Sequence, residues 1–143
     1  MVWALSQNDP DHWLTEDIHT VLALIDENDF EFKSWLDKYK YADRFPENTE
    51  EFYRQQCEDF LVKLEQRLKQ HTYLFSNSLS LADMAIFPFI RQFSGVNKNW
   101  FEQAPYPHLQ DWLKNLVNSQ LFISIMQKYP TWLSTQQSHI FPE

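Results

Sequence analysis

The sequence predicts an all-α helical bundle. Apolar residues recur at helical spacing in successive segments, and no alternating apolar and polar run is sustained anywhere in the chain. One segment, Ser80 to Gly95, is apolar almost all round, as a helix at the centre of a bundle must be. With 143 residues the chain reads as one domain, residues 1–143. A chain of that size buries roughly 68–70% of the surface its unfolded form exposes, so it needs neither metal nor disulfide to hold a core.

Val2, Trp3, Ala4 and Leu5 read as helix interior ending before Asp9-Pro10-Asp11, with no capping residue ahead of them, as though the chain begins partway along a helix. Leu14 to Ile25 carries Leu14, Ile18, Val21, Leu22 and Ile25 at helical spacing, with Thr15 as N-cap and Asp26-Glu27-Asn28 as the stop. A second short helix follows Asp29, where Phe32, Trp35, Leu36 and Tyr39 form a stripe that breaks at Asp43-Arg44-Phe45-Pro46. The longest periodic segment, about Thr49 to His71, is capped by Asn48 with Glu51 and buries Tyr53, Cys57, Phe60, Leu61, Leu64 and Leu68. Its other face, with Glu58, Lys63, Glu65, Gln66, Arg67 and Lys69, is mixed in sign and reads as solvated.

The central helix opens with Ser80 at the N-cap and Asp83 at N3, a capping box, and Leu79 and Met84 form a hydrophobic staple. Pro88 inside it removes one backbone donor. Pro107 starts the next helix, with Leu109, Trp112, Leu113, Leu116 and Val117 as its stripe, and after a break at Asn118-Ser119 the residues Leu121, Phe122, Ile125 and Met126 continue it. Pro130 ends this run. The tail, Thr131 to Glu143, has no clear period and reads as an extended segment over the bundle.

Composition excludes several functions. The single glycine, Gly95, rules out the dinucleotide fingerprint, the Walker phosphate loop and the nucleophile elbow, all of which need several residues without a Cβ. A net charge of −8 argues against nucleic acid as partner, since that affinity comes mostly from Lys and Arg. No apolar run approaches the roughly 20 residues of a membrane helix. The lone Cys57 can form no internal bridge and points to a reducing, cytoplasmic home; on the apolar stripe it is a small buried hydrophobe. Asp9, Asp11, His12, Glu16 and His19 are the one cluster with metal-type side chains, but their spacing matches no zinc pattern, so no metal site is assigned. His71, His108 and His139 lie far apart and complete no catalytic constellation, so no catalytic residue is assigned.

The stretch Ser80-Leu81-Ala82-Asp83-Met84-Ala85-Ile86-Phe87-Pro88-Phe89-Ile90-Arg91-Gln92-Phe93, with Tyr106-Pro107-His108-Leu109-Gln110-Asp111-Trp112 and Lys128-Tyr129-Pro130 after it, resembles the C-terminal all-helical domain of bacterial glutathione S-transferases. Trp3 to Pro10 resembles that domain's first helix and the turn after it. The resemblance implies a domain that walls a hydrophobic electrophile pocket and supports dimerisation, with glutathione as co-substrate of the parent protein and no cofactor in this chain. It implies Trp3, Phe87 and Phe89 as pocket residues, although aromatic side chains at this spacing are more often core; Arg91, with Gln92 a polar exception in the apolar central helix, is expected to reach a pocket or a partner carboxylate, although such a residue more often snorkels or pairs structurally.

Before Met1 the sequence shows none of the thioredoxin-like domain that activates the thiol in this family, so the chain alone is expected to be inactive. The expected partner is that missing domain or a second copy of the chain. A noncatalytic protein-interaction module of the same fold is the alternative.

Overall fold

A computed structural model describes residues 2–14, 17–126, 128 and 136, and no strand occurs among them. Helix α1 (Val2–Gln7) leads into a turn where Asp9 accepts the backbone N–H groups of Trp13 and Leu14 at 2.8 and 2.9 Å. Helix α2 (Ile18–Asp26) is capped by Asp17, whose carboxylate accepts from the Thr20 N–H; the expected cap, Thr15, lies outside the described residues.

The expected stop at Asp26-Glu27-Asn28 does not occur. The chain passes through a π-helical stretch, Glu27–Phe32, directly into α3 (Lys33–Lys40). No Gly or Pro lies between Leu14 and Tyr41, and Asp or Asn inside a helix costs only about 0.7 kcal/mol or less. Burial of Leu24 and Phe32 on the inner face outweighs that. A turn of 3-10 helix, Ala42–Arg44, follows.

Helix α4 (Glu50–Leu68) is capped by Thr49, one residue after the expected Asn48, with its hydroxyl accepting from the Phe52 N–H at 3.1 Å. It buries the six residues its stripe predicts. Its outer face is not uniformly solvated, which corrects the sequence expectation. The Glu65 carboxylate accepts the N–H groups of His108 and Leu109 at 3.3 and 2.8 Å, capping a helix that starts 42 positions on from it at Pro107. Glu58 accepts from the Tyr106 hydroxyl at 3.0 Å and from Arg54 Nε at 3.4 Å.

Helix α5 (Leu81–Val96) packs against α2, α3, α7 (Pro107–Val117) and a short helix, α6 (Lys98–Gln103), that the periodicity does not reveal. Six residues with one buried side chain, Phe101, carry too little pattern. Asn97 caps α6 by accepting from the Trp100 N–H, and Ser119 caps α8 (Gln120–Ile125) by accepting from the Phe122 N–H. The tail expected to lie extended over the bundle falls outside the described residues, Gln136 apart.

At the C-terminal end of α5 the core is aromatic. The Phe93 ring meets Tyr39 at 5.2 Å, Phe32 and Trp100 at 6.0 Å and Phe101 at 6.2 Å between centroids, so one side chain joins α3, α6 and the π-helical stretch to α5. Phe93→Ala should therefore cost about 3–5 kcal/mol, read as a fall in the urea midpoint at unchanged slope. A loss under 1 kcal/mol would mean that the cluster repacks without it.

Burial, with Glu58 nearby, pushes the Cys57 thiol up to about 12, and burial, with Glu50 next in effect, pushes the Tyr39 phenol up to about 12. Burial and then the hydrogen bond to Glu58 also raise Tyr106. In each case the folded chain holds a proton that the unfolded chain releases first. This stability is complete below the unfolded values, near 8.5 for a thiol and 10 for a phenol, and is lost as pH rises from there toward 12. The urea midpoint should accordingly fall from pH 8.5 to 11, and Cys57 should react with a thiol reagent only after unfolding. A flat midpoint, or rapid modification of the folded chain, would contradict this.

Candidate functional site

The site is built on a carboxylate with no solvent contact. Asp83, at the third position of α5, is fully buried, and four donors fill its two oxygens. Oδ2 accepts from the Ser80 N–H at 3.0 Å and the Ser80 hydroxyl at 2.6 Å; Oδ1 accepts from the Leu74 N–H at 3.0 Å and from Trp112 Nε1–H at 2.9 Å. The capping box expected at Ser80 and Asp83 is formed. It also ties the segment before α5, through Leu74, to α7, through Trp112.

Trp112, held by its indole N–H, packs edge-on against Phe87 at 6.2 Å, and Phe87 packs edge-on against Phe122 of α8 at 5.1 Å. Between α5 and α8 these rings leave an apolar groove of about 260 Å³, lined by Met84, Phe87, Pro88 and Arg91 on α5, Leu116 and Ser119, and Leu121, Phe122, Ile125 and Met126 on the far side. The Arg91 guanidinium lies 5.3 Å from the Phe122 ring centre. A larger depression between α2 and α4 is mixed in character: Ala23 and Leu24 line it beside Thr20, Gln66, Arg67, Gln70 and the Glu27–Lys63 ion pair.

Of the four pocket residues expected from the sequence, Phe87 and Arg91 line this groove. Trp3 and Phe89 are not among its lining residues: Trp3 on α1 is 76% exposed, and Phe89 is half-buried against the core. The groove's other wall is formed by residues that the periodicity makes a continuation of the α7 stripe. Leu121, Ile125 and Met126 are 45%, 69% and 47% exposed, because α8 is short and buries no residue fully. The signal was their clustering after the Asn118-Ser119 break.

Asp9, the first residue of the Asp9, Asp11, His12, Glu16 and His19 cluster, is committed to two backbone N–H groups, and no group of three or more metal-type ligands occurs among the described residues.

A family profile described as the glutathione S-transferase C-terminal domain matches residues 34–115, more than half of the chain. The chain belongs to the glutathione S-transferase C-terminal domain family. Neither the curated proteins nor the solved structures hold a significant match to it. The match to this glutathione S-transferase domain covers α3 to α7 with the Asp83 knot and stops short of α8, so it includes the α5 wall of the groove and leaves out the other.

Two substitutions separate the parts of the knot. Ser80→Ala removes the hydroxyl donor but keeps the Ser80 N–H bond, and should cost about 0.5–2 kcal/mol. Asp83→Asn turns an accepting oxygen into a donor among donors, leaving at least one buried N–H unpaired, and should cost about 3 kcal/mol or more. Equal losses in urea unfolding would show that the four bonds do not act as described.

Proposed function

We propose that residues 1–143 form a single glutathione S-transferase C-terminal domain whose groove between α5 and α8 is part of the wall of a hydrophobic electrophile pocket. The groove itself carries the reading: it is apolar, it is open, and its α5 side stands on the helix anchored by the buried Asp83. The domain works with a thioredoxin-like domain that binds glutathione as co-substrate, in a cytoplasmic protein. Thiol activation belongs to that partner domain, and the helical domain alone is not catalytic. Dimer support comes from the outer face of α3 and α4, where Trp35 packs against Phe52 and Tyr53, while Phe52 and Val62 stay 36% and 41% exposed. Apolar side chains grouped in the open are typical of an interface.

The test uses the purified chain and 1-chloro-2,4-dinitrobenzene, an apolar electrophile. The methyl signals of Met84 and Met126 should shift as it binds, while no conjugate forms with added glutathione and a glutathione resin does not retain the chain. Turnover by the chain alone, or an electrophile that leaves both methyl signals in place, would overturn the reading. Light scattering over a concentration series should show self-association that Val62→Glu weakens; a strict monomer would remove the dimer role.

A further inference from the structure

We infer that the segment Phe141-Pro142-Glu143 of the same chain docks across Gly95, near the C-terminal end of α5, with the Phe141 ring in an apolar cleft on one side and the Glu143 carboxylate in a cationic cleft on the other. Gly95 is the lone glycine of the chain, and nothing in the described fold asks for one there. It lies inside α5, its φ is not positive, and a Cβ on it would meet no described atom within 4 Å. Glycine inside a helix is destabilising relative to alanine, and its use is a backbone that another group can approach closely.

Two clefts meet at Gly95. The first, about 480 Å³, lies between α5, α6 and α7 and takes its apolar lining from Phe101, Leu113 and Val117. Its charged side chains balance, Lys98 and Lys114 against Glu102 and Asp111. The second, about 540 Å³, is lined by Lys40, Arg91, Gln92, Gly95 and Val96, two positive charges with no acidic side chain among the described lining residues. One cleft therefore suits an apolar side chain and the other a carboxylate, with only bare backbone between them.

The chain carries a matching segment within reach. Met126 lines the α5–α8 groove together with Arg91, and Gly95 is one helical turn, about 6 Å, beyond Arg91. Residues 127–140 lie between Met126 and Phe141, and at roughly 3.3 Å each they span far more than that turn. Glu143 is the one acidic side chain after Asp111. It stands two positions from Phe141, so on extended backbone both side chains point to one face, roughly 7 Å apart, and straddle Gly95. Pro142 between them biases Phe141 to extended backbone and brings no N–H that the crossing would leave unpaired.

The lone glycine gives a single signal in its own region of the ¹⁵N spectrum, which makes the full chain its own probe. Phe141→Ala and Glu143→Gln should each move the Gly95 signal and the Leu113 and Val117 methyl signals, whereas Gln137→Ala should leave them in place. In a chain that already carries Arg91→Gln and Lys40→Gln, Glu143→Gln should no longer move the Gly95 signal. Gly95→Leu, which fills the bare space, should in turn move the Phe141 and Glu143 amide signals, and Gly95→Ala should do so less; urea midpoints that do not fall show that these variants fold. Unlabelled unmodified chain added to labelled Glu143→Gln chain should not restore the Gly95 signal. A Gly95 signal indifferent to both Phe141→Ala and Glu143→Gln would overturn the inference, and restoration by the added chain would overturn it in favour of a segment supplied by a second copy.

Discussion

Four donors from three parts of the chain converge on the Asp83 carboxylate, and the arrangement of the helices depends on their meeting there. Ser80 starts α5, Leu74 belongs to the segment that returns from α4, and Trp112 sits on α7. A buried backbone N–H or indole N–H without a partner costs roughly 1–3 kcal/mol, so each donor must find an acceptor, and one carboxylate serves them all. The local role of Asp83, at the third position of a capping box, is thus inseparable from its tertiary role. Moving α5 along its axis would strand Leu74 and Trp112 together.

The constraint propagates in two directions along α5. Toward α8 it runs through rings: Trp112 is oriented by its bond to Asp83, Phe87 by Trp112, and Phe122 by Phe87. At the far end of the same helix, Phe93 gathers Phe32, Tyr39, Trp100 and Phe101. A hydrogen-bonded end fixes register and an aromatic end supplies apolar burial, so α5 is held against both sliding and rolling. The Glu65 cap on α7 adds a third tie, from α4, at the N-terminus of the helix that carries Trp112.

What could be read from the sequence was local or periodic. The stripes of α4 and α7, the capping box at Ser80 and Asp83, and Pro107 at a helix start each involve residues within a few positions of one another. What could not be read depends on distant partners. Glu65 looks like a solvated helix residue until α7 brings two N–H groups to it, and Asp26-Glu27-Asn28 looks like a stop until Asn28 is buried at a π turn. On α5, Phe87 and Arg91 line the groove whereas Phe89, expected with them on the same helix, packs against the core, because a helical period separates faces only once the neighbouring helices are placed. Trp3 was grouped with them on family resemblance, which carries residue types but not the exposure of a short terminal helix.

The two walls of the groove differ in how firmly they are held, and this bears on what it can do. One wall is α5, anchored at Asp83 and Phe93. The other is α8, six residues with no fully buried side chain, attached through the Ser119 cap and the Phe122 ring against Phe87. Few buried contacts mean a low local cost of opening, and binding elements are commonly drawn from that end of the stability range. A ligand lying between the walls would add apolar contacts to Phe122 and Ile125 that α8 lacks on its own, so part of its binding energy would go into holding that helix.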